Sequence, residues 1–381
     1  MLDLVSNREV LVGEGSVKQL PAKLQWYGVK KALMVYSHSG EGVAAELKAA
    51  LKEAGIDSAD YTAIHKEPDT TVIDTGAEVC VREGCDCVVA LGGGSVIDAS
   101  KMISMLATNG GKTEEYQIDG RVVTKIPLLF VAIPTTAGTG AEATKVSVIF
   151  NKNKGYKKSA YDNSMIATLA ILDPALTAKL PAKLTAATGM DAITHAIESY
   201  TSKNATVVSK MYSLKALDLL VNNIVTAYRE PDNMQAREAM LLGSYFAGVA
   251  IAVGTCLAHI VGQPFGAIYG IPHGDACAIF LFPSMRFNKD YCLKEYLEIF
   301  RSLGVDMAGK TDDEAFEAGM AFLQDIAHQI HAPEKITEYV AKEKVDLDYA
   351  VNNIATSMAH IKHNPRPVSP ELFREMILAA M

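Results

Sequence analysis

The sequence predicts an α/β domain built on a mostly parallel sheet, followed by an all-helical domain. Three observations predict it. Short apolar runs alternate with amphipathic stretches through the first half of the chain. After Asp173-Pro174 that texture gives way to Ala, Leu, Met and Glu at helical spacing. The 381 residues are also enough to bury two separate cores.

The strands expected first are residues 31–37 (KALMVYS), 87–91 (CVVAL) and 128–133 (LLFVAI). Each is apolar throughout rather than alternating, as a strand covered on both faces requires. Residues 42–54 and 71–83 carry the helical period between them. Residues 145–151 and 168–172 read as a hairpin or as two extra strands around the basic turn 152–158. The domain boundary falls near Ala178, giving domains 1–178 and 179–381. There is no internal repeat and no low-complexity linker.

Composition excludes several classes of function. Hydrophobic residues make up 49% and charged residues 21%, too apolar for a disordered chain. The net charge of −8 repels phosphate backbones and anionic lipid, so neither nucleic acid nor a membrane is an expected partner. Residues 239–262 hold no Asp, Glu, Lys or Arg and could span a bilayer, but their Gly, Ser, Thr and His residues favour a buried core helix. The N-terminus lacks the pattern of a signal peptide, and none of the six cysteines form a CxxC pair. They read as reduced thiols, which makes the expected compartment the cytoplasm.

Three segments carry chemistry. Leu91 runs into Gly92-Gly93-Gly94-Ser95 and then into an amphipathic stretch, a strand–glycine–helix arrangement. Its free backbone N–H groups and helix dipole suit a pyrophosphate, although it is not GxGxxG. A tight turn needing glycine only for its dihedrals would look the same. The second segment, Pro134-Thr135-Thr136-Ala137-Gly138-Thr139-Gly140, also closes an apolar strand and offers hydroxyls at the carboxyl end of the sheet. The third holds Asp191 and His195 at i,i+4, on one helix face. His259 and His273 follow downstream, with Pro264, Gly266, Gly270 and Pro272 expected to break the helix between them. One Asp and three His suit Fe²⁺ or Zn²⁺, whereas any one of these histidines alone would more often be a core residue.

GGGSxxDxxK, PTTAGTGAE, TGMDAITHAIESY and the closing PHG strongly resemble the iron-dependent (group III) alcohol dehydrogenases, from about Gly13 to Arg366. The resemblance implies a dehydroquinate synthase-like fold: an N-terminal dinucleotide-binding domain, a helical metal-binding domain and a catalytic metal in the cleft between them. It implies Asp191, His195, His259 and His273 as ligands to Fe²⁺ or Zn²⁺. Gly93, Gly94 and Ser95 would hold the pyrophosphate of NAD, with Asp98 at the nicotinamide side. Thr135, Thr136 and Thr139 would line the cofactor cleft, and Lys157 matches a lysine near the ribose. The implied reaction interconverts a small aldehyde and its primary alcohol, in a homodimer or larger homo-oligomer.

The sequence departs from that family at four places. Gln263 replaces a histidine often given a proton-transfer role, and an amide is no acid–base group near neutral pH. Before Asn364-Pro365-Arg366 the chain reads His360-Ile361-Lys362-His363, which could bring cationic groups to the substrate or leave them solvated on a surface loop. His273, Gln263 and His360 are therefore the candidates for contact with the reacting substrate, and an anionic tail, as on sulfoacetaldehyde, phosphonoacetaldehyde or succinate semialdehyde, fits them. Ser37 follows the 33–36 strand where NAD-preferring relatives commonly have Asp. Its hydroxyl removes a repulsion against a 2′-phosphate without supplying a cation to grip one, so NAD is expected and NADP stays open. Glu67 stands where the family often has Asn. Two rival readings are a sugar-phosphate cyclase or glycerol-phosphate dehydrogenase of the same fold, disfavoured by the DAITHAIESY and PHG context, and a scaffold that has lost its chemistry, disfavoured by the intact ligands and glycines.

Overall fold

The computed structural model describes residues 5–64, 68–154, 156–357 and 361–381. The chain divides into two compact units, residues 1–136 with 140–178, and residues 137–139 with 179–381.

In the first unit, strands and helices run in the order β1 (Glu9–Val12), α1 (Leu20–Tyr27), β2 (Lys31–Tyr36), α2 (Glu41–Glu53), β3 (Asp57–Tyr61), α3 (Thr70–Arg82), β4 (Cys87–Gly92), α4 (Gly94–Asn109), α5 (Thr113–Gln117) and β5 (Leu129–Pro134), then β6 (Val146–Asn151), β7 (Tyr156–Tyr161) and β8 (Leu169–Leu172). Six strands form a parallel sheet in the order β1-β8-β5-β4-β2-β3. Alternate residues feed two cores. Leu33, Val35, Val88, Ala90, Phe130 and Ala132 pack with Ile73 of α3 and with Ile97, Met102 and Ile103 of α4. Ala32, Met34, Val89, Leu91, Val131 and Ile133 pack with Leu20 and Leu24 of α1 and with Leu47 and Leu51 of α2. Helices on both faces are why these strands read as unbroken apolar runs. The two strands of this sheet that the apolar pattern misses, β1 and β3, are its two edges. The sequence of β3, DSADY, has one covered face and a polar exterior, so it carries no such run.

The 145–151 segment resolves as β6, which forms an antiparallel hairpin with β7 across the basic turn, Phe150 opposite Lys157. The 168–172 segment is not its partner: β8 joins the large sheet between β1 and β5. A buried ionic pin fastens the hairpin to α4. Lys101, fully buried, donates to Asp98 Oδ1 (3.0 Å), Thr144 Oγ1 (2.8 Å) and the Val146 carbonyl (2.5 Å), while Asp98 Oδ2 accepts from the Val148 N–H (2.9 Å).

The second unit contains α6 (Ala182–Thr201), α7 (Val207–Arg229), α8 (Met234–Ala250), α9 (Leu257–Tyr269), α10 (His273–Ser302), α11 (Asp312–Gln329), α12 (Leu347–Ser357) and α13 (Pro370–Ala379). Helix α6 is buried over most of its length and packs on α7, α8 and α10. The uncharged segment 239–262 is not one helix. Helix α8 ends at Ala250, Gly254 turns the chain at φ +93°, and α9 starts at Leu257. The apolar span Met234–Val253 is long enough to cross a membrane, but 61% of an 18-residue apolar window within it is buried in the protein. Of the four residues expected to break the helix, Gly270 and Pro272 do so and Pro264 and Gly266 do not. Both lie inside α9, which ends at Gly270 in the left-handed conformation, with the Ile271 N–H returning to the Gly266 carbonyl at 3.0 Å.

Candidate metal and dinucleotide site

The topology of the first unit marks a ligand crevice. From β2 the chain moves outward to β3 and then returns to the other side of β2 as β4, so the strand order reverses between β2 and β4. Ligands of open α/β sheets sit outside the carboxyl ends of the strands at such a switch point. Ser37 follows β2 there, and Gly93, Gly94 and Ser95 follow β4. Gly93 is the N-cap of α4, and the first-turn N–H groups of Gly94 and Ser95 have no intrahelical acceptor, which is the local chemistry of an anion site. Thr135 is tied to this loop by its N–H, which donates to the Gly92 carbonyl at 3.1 Å. Thr136 packs over Gly93, where an added Cβ would lie 3.3 Å from its hydroxyl oxygen. Asp98, by contrast, has both carboxylate oxygens committed to Lys101 and Val148. Lys157 lies on the β6–β7 hairpin, and Thr139 belongs to the second unit. Ser37 Oγ lies 3.1 Å from Ser39 Oγ, and the neighbouring His38 pairs with Glu41 at 2.9 Å.

In the second unit three imidazoles converge on one carboxylate. Asp191 Oδ1 lies 3.3 Å from His259 Nε2, 3.4 Å from His273 Nε2 and 3.7 Å from His195 Nε2. Asp191 and His195 come from successive turns of α6, His259 from the first turn of α9 and His273 from the first residue of α10. The His195 and His259 rings stack with centroids 4.5 Å apart. Asp191, His195 and His259 are buried, whereas 37% of the His273 side chain is exposed, so His273 marks the open side of the cluster. Gly274 makes its position possible: a Cβ there would sit 2.2 Å from the Ala187 carbonyl oxygen, so only glycine lets α10 start this close to α6.

Glu198, to which the sequence reading assigned no role, organises the site. It lies seven residues after Asp191 on the same face of α6. Its Oε2 accepts from His259 Nδ1 (2.7 Å) and the Cys256 N–H (2.9 Å), and its Oε1 accepts from the Ala258 N–H (2.6 Å). One buried carboxylate thus caps the start of α9 and holds the His259 ring by its Nδ1–H, turning Nε2 toward Asp191, where an entering cation would displace its proton. The i, i+4, i+7 spacing of Asp191, His195 and Glu198 was the signal available for it. Asn364 adds a second cap, its Oδ1 accepting from the Leu257 N–H at 3.2 Å. A further donor was also overlooked. Cys277 places Sγ 3.8 Å from His273 Nε2, and single ligand atoms of Asp191, His259, His273 and Cys277 all lie within 4.8 Å of one another.

The electrostatics suit a cation. Burial pushes Asp191 up, yet the His195, His273 and His259 imidazoles outweigh it and hold the carboxyl well below the usual carboxylate range. Burial drives His195 down to about 4. Burial also lowers His259 and His273, but Cys277 and the nearby carboxylates win, holding His259 well above the ordinary histidine value and His273 at about 10. Four donors around an ion at about 2.0–2.3 Å stand roughly 3.3–3.7 Å apart, the separations found around Asp191 Oδ1, so these residues fit a divalent metal.

Gln263 is half-buried one turn beyond His259 on α9. His363 is drawn away from solvent: its Nδ1 lies 2.5 Å from Asn204 Nδ2, and its ring packs against Gly254, where a Cβ would come within 2.5 Å. Lys362 is exposed. His360 and Glu67 lie outside the described residues.

Known proteins similar to this chain carry the same architecture. Residues 7–174 match the iron-containing alcohol dehydrogenases, and residues 185–381 match the C-terminal domain of the same family. An NAD-dependent methanol dehydrogenase of Bacillus methanolicus is 33% identical over 97% of both chains. A solved 1,3-propanediol oxidoreductase superposes with a TM-score of 0.95 at 30% identity, covering 100% of each chain. A sulfoacetaldehyde reductase from Bifidobacterium kashiwanohense, solved with NAD+, superposes at 0.89 and 28% identity over 100% of this chain and 99% of that one. In sequence and in fold the chain belongs to the iron-containing alcohol dehydrogenase family of oxidoreductases.

Proposed function

We propose that the chain interconverts a short aldehyde and its primary alcohol with NAD, at one divalent ion held by Asp191, His195, His259 and His273. The observation that carries this reading is the convergence of three imidazole Nε2 atoms on the single Asp191 Oδ1. A divalent ion there would act as a Lewis acid on the substrate oxygen while the nicotinamide exchanges hydride with the carbon. The chain's own part is positioning. Glu198 holds His259, Gly274 lets His273 approach, and the half-open His273 leaves the substrate a way in. The Gly94 and Ser95 N–H groups at the α4 N-terminus would receive the pyrophosphate. Ser37 leaves the ribose end without a carboxylate, and we take NAD over NADP because no cation follows β2 except the Glu41-paired His38.

Metal uptake should depend on pH. His273 is held at about 10, so at neutral pH it carries a proton that an entering cation must displace. Affinity is expected to fall about tenfold per proton for each pH unit of acidification below that value. Chelator competition across about pH 6 to 9 checks this; a flat profile would remove His273 from the ligand set.

The narrower reading is a substrate with an anionic tail, sulfoacetaldehyde first. The likeness to the sulfoacetaldehyde reductase and the basic run ending at His363 support it, with His360, Lys362 and Gln263 as the proposed anion contacts. NADH oxidation by metal-loaded protein is to be compared for sulfoacetaldehyde and propanal. A kcat/KM at least about tenfold higher for the sulfonate, reduced in His360→Ala, is expected, since one charge-assisted contact contributes about 1.5–3 kcal/mol. Equal turnover of the two aldehydes, unchanged in that variant, leaves a short-chain alcohol dehydrogenase of broad specificity.

A further inference from the structure

We propose that Cys277 is a thiolate ligand of the ion, which makes the centre select zinc or cobalt over iron(II) and manganese(II). This rests on the metal-centre reading above and deepens it. All six cysteines are free and buried, and buried thiols ordinarily serve as small apolar side chains. Cys277 is set apart by its neighbours. It follows His273 by one turn of α10, which puts the thiol and the imidazole on the same helix face. Its Sγ lies 3.8 Å from His273 Nε2 and shares a sphere of mutual 4.8 Å separations with ligand atoms of Asp191 and His259. Asp191 Oδ1 is 3.3 Å from His259 Nε2 and 3.4 Å from His273 Nε2. Tetrahedral nitrogen and oxygen donors stand about 3.3–3.5 Å apart, and a sulfur vertex, with its bond of about 2.3 Å, stands slightly farther away. The 3.8 Å from Cys277 Sγ to His273 Nε2 is close to that separation, so the sulfur stands within reach beside the four proposed ligands, and the substrate oxygen takes the place that one of the five donors leaves open.

Ligation exchanges one bond for another. The S–H bond breaks, its proton leaves to solvent, and the sulfur electron pair forms the bond to the cation; nothing is oxidised or reduced. A thiolate shifts the donor set from hard oxygen and imidazole toward the soft side, where zinc gains over iron(II) and manganese(II).

The test is titration of the full-length, metal-stripped protein with Co²⁺. Cobalt bound to nitrogen and oxygen shows weak visible ligand-field bands, and a thiolate adds an intense near-ultraviolet charge-transfer band. The expected result is both sets of bands at one cobalt per chain, with only the near-ultraviolet band lost in Cys277→Ser and Cys277→Ala and retained in Cys256→Ser. Zn²⁺ affinity should fall about tenfold or more in the Cys277 variants while Mn²⁺ affinity stays within about twofold. Should those variants fail to fold, cobalt X-ray absorption on the unmodified protein must still show a sulfur neighbour at about 2.3 Å. Visible bands without the charge-transfer band, or a band that survives Cys277→Ala, overturn the thiolate and leave the metal centre standing. No cobalt uptake at all overturns the metal centre and the thiolate with it.

Discussion

Asp191→Ala is expected to lose the metal and at least about three orders of magnitude of kcat/KM while NADH binding persists. Asp191 is the one anion among the four proposed ligands, and its Oδ1 is the atom on which the three imidazoles converge. Without it, three buried or half-buried histidines crowd together, and of the proposed donors only the Cys277 thiolate is left to balance a divalent cation. A Lewis acid acting on the developing alkoxide contributes several kcal/mol to the transition state, and about 4 kcal/mol corresponds to roughly a thousandfold. The glycine loop belongs to the other compact unit and does not depend on Asp191. Three measurements check this: metal content after gel filtration, steady-state turnover and fluorescence titration with NADH. A variant that keeps its ion and full activity would remove Asp191 from the site.

Glu198→Gln should lower metal affinity about 10- to 100-fold and destabilise the second unit, although Glu198 is not itself a proposed ligand. The carboxylate accepts from four donors at the start of α9: the Cys256, Ala258 and His259 N–H groups and His259 Nδ1. An amide of the same shape has one acceptor oxygen, so its NH₂ must face at least one of these donors. Each buried donor left unsatisfied costs about 1–3 kcal/mol. His259 also loses the carboxylate that holds its Nδ1 proton and keeps Nε2 turned toward the ion. Thermal melts with and without Zn²⁺, together with chelator competition, separate the two effects. Unchanged metal affinity in a folded Glu198→Gln protein would reduce Glu198 to a helix cap alone.

How far the sequence was legible depended on whether a residue's role was local. The central strands β2, β4 and β5 stood out because both faces are covered and every residue is apolar. The edges did not: β3 meets water and keeps polar residues, and β1, EVLV, is only four residues long. The Asp191–His195 pair was readable from i,i+4 spacing alone. Glu198 continued the same face but carried no spacing to the residues it holds, which lie about 60 positions downstream. The segment 239–262 looked like one helix because composition reports burial and is blind to a single left-handed glycine at position 254. Pro264 and Gly266 looked like breakers, yet a helix end is set by where the chain can reverse, and here that is Gly270.

The sequence by itself determined the two-part architecture, the glycine loop after a buried strand, the family, and the four Asp and His residues worth testing as ligands. The family follows from the resemblance of four motifs; the rest follows from periodicity and residue chemistry, which act over one or two turns. Only the tertiary structure decided that Glu198 both caps α9 and orients His259, that Gly274 must lack a side chain because Ala187 lies against it, and that Cys277 stands within reach of the same ion. Those facts depend on how α6, α9 and α10 approach one another, and packing of that kind is set by the whole core rather than by any stretch of it.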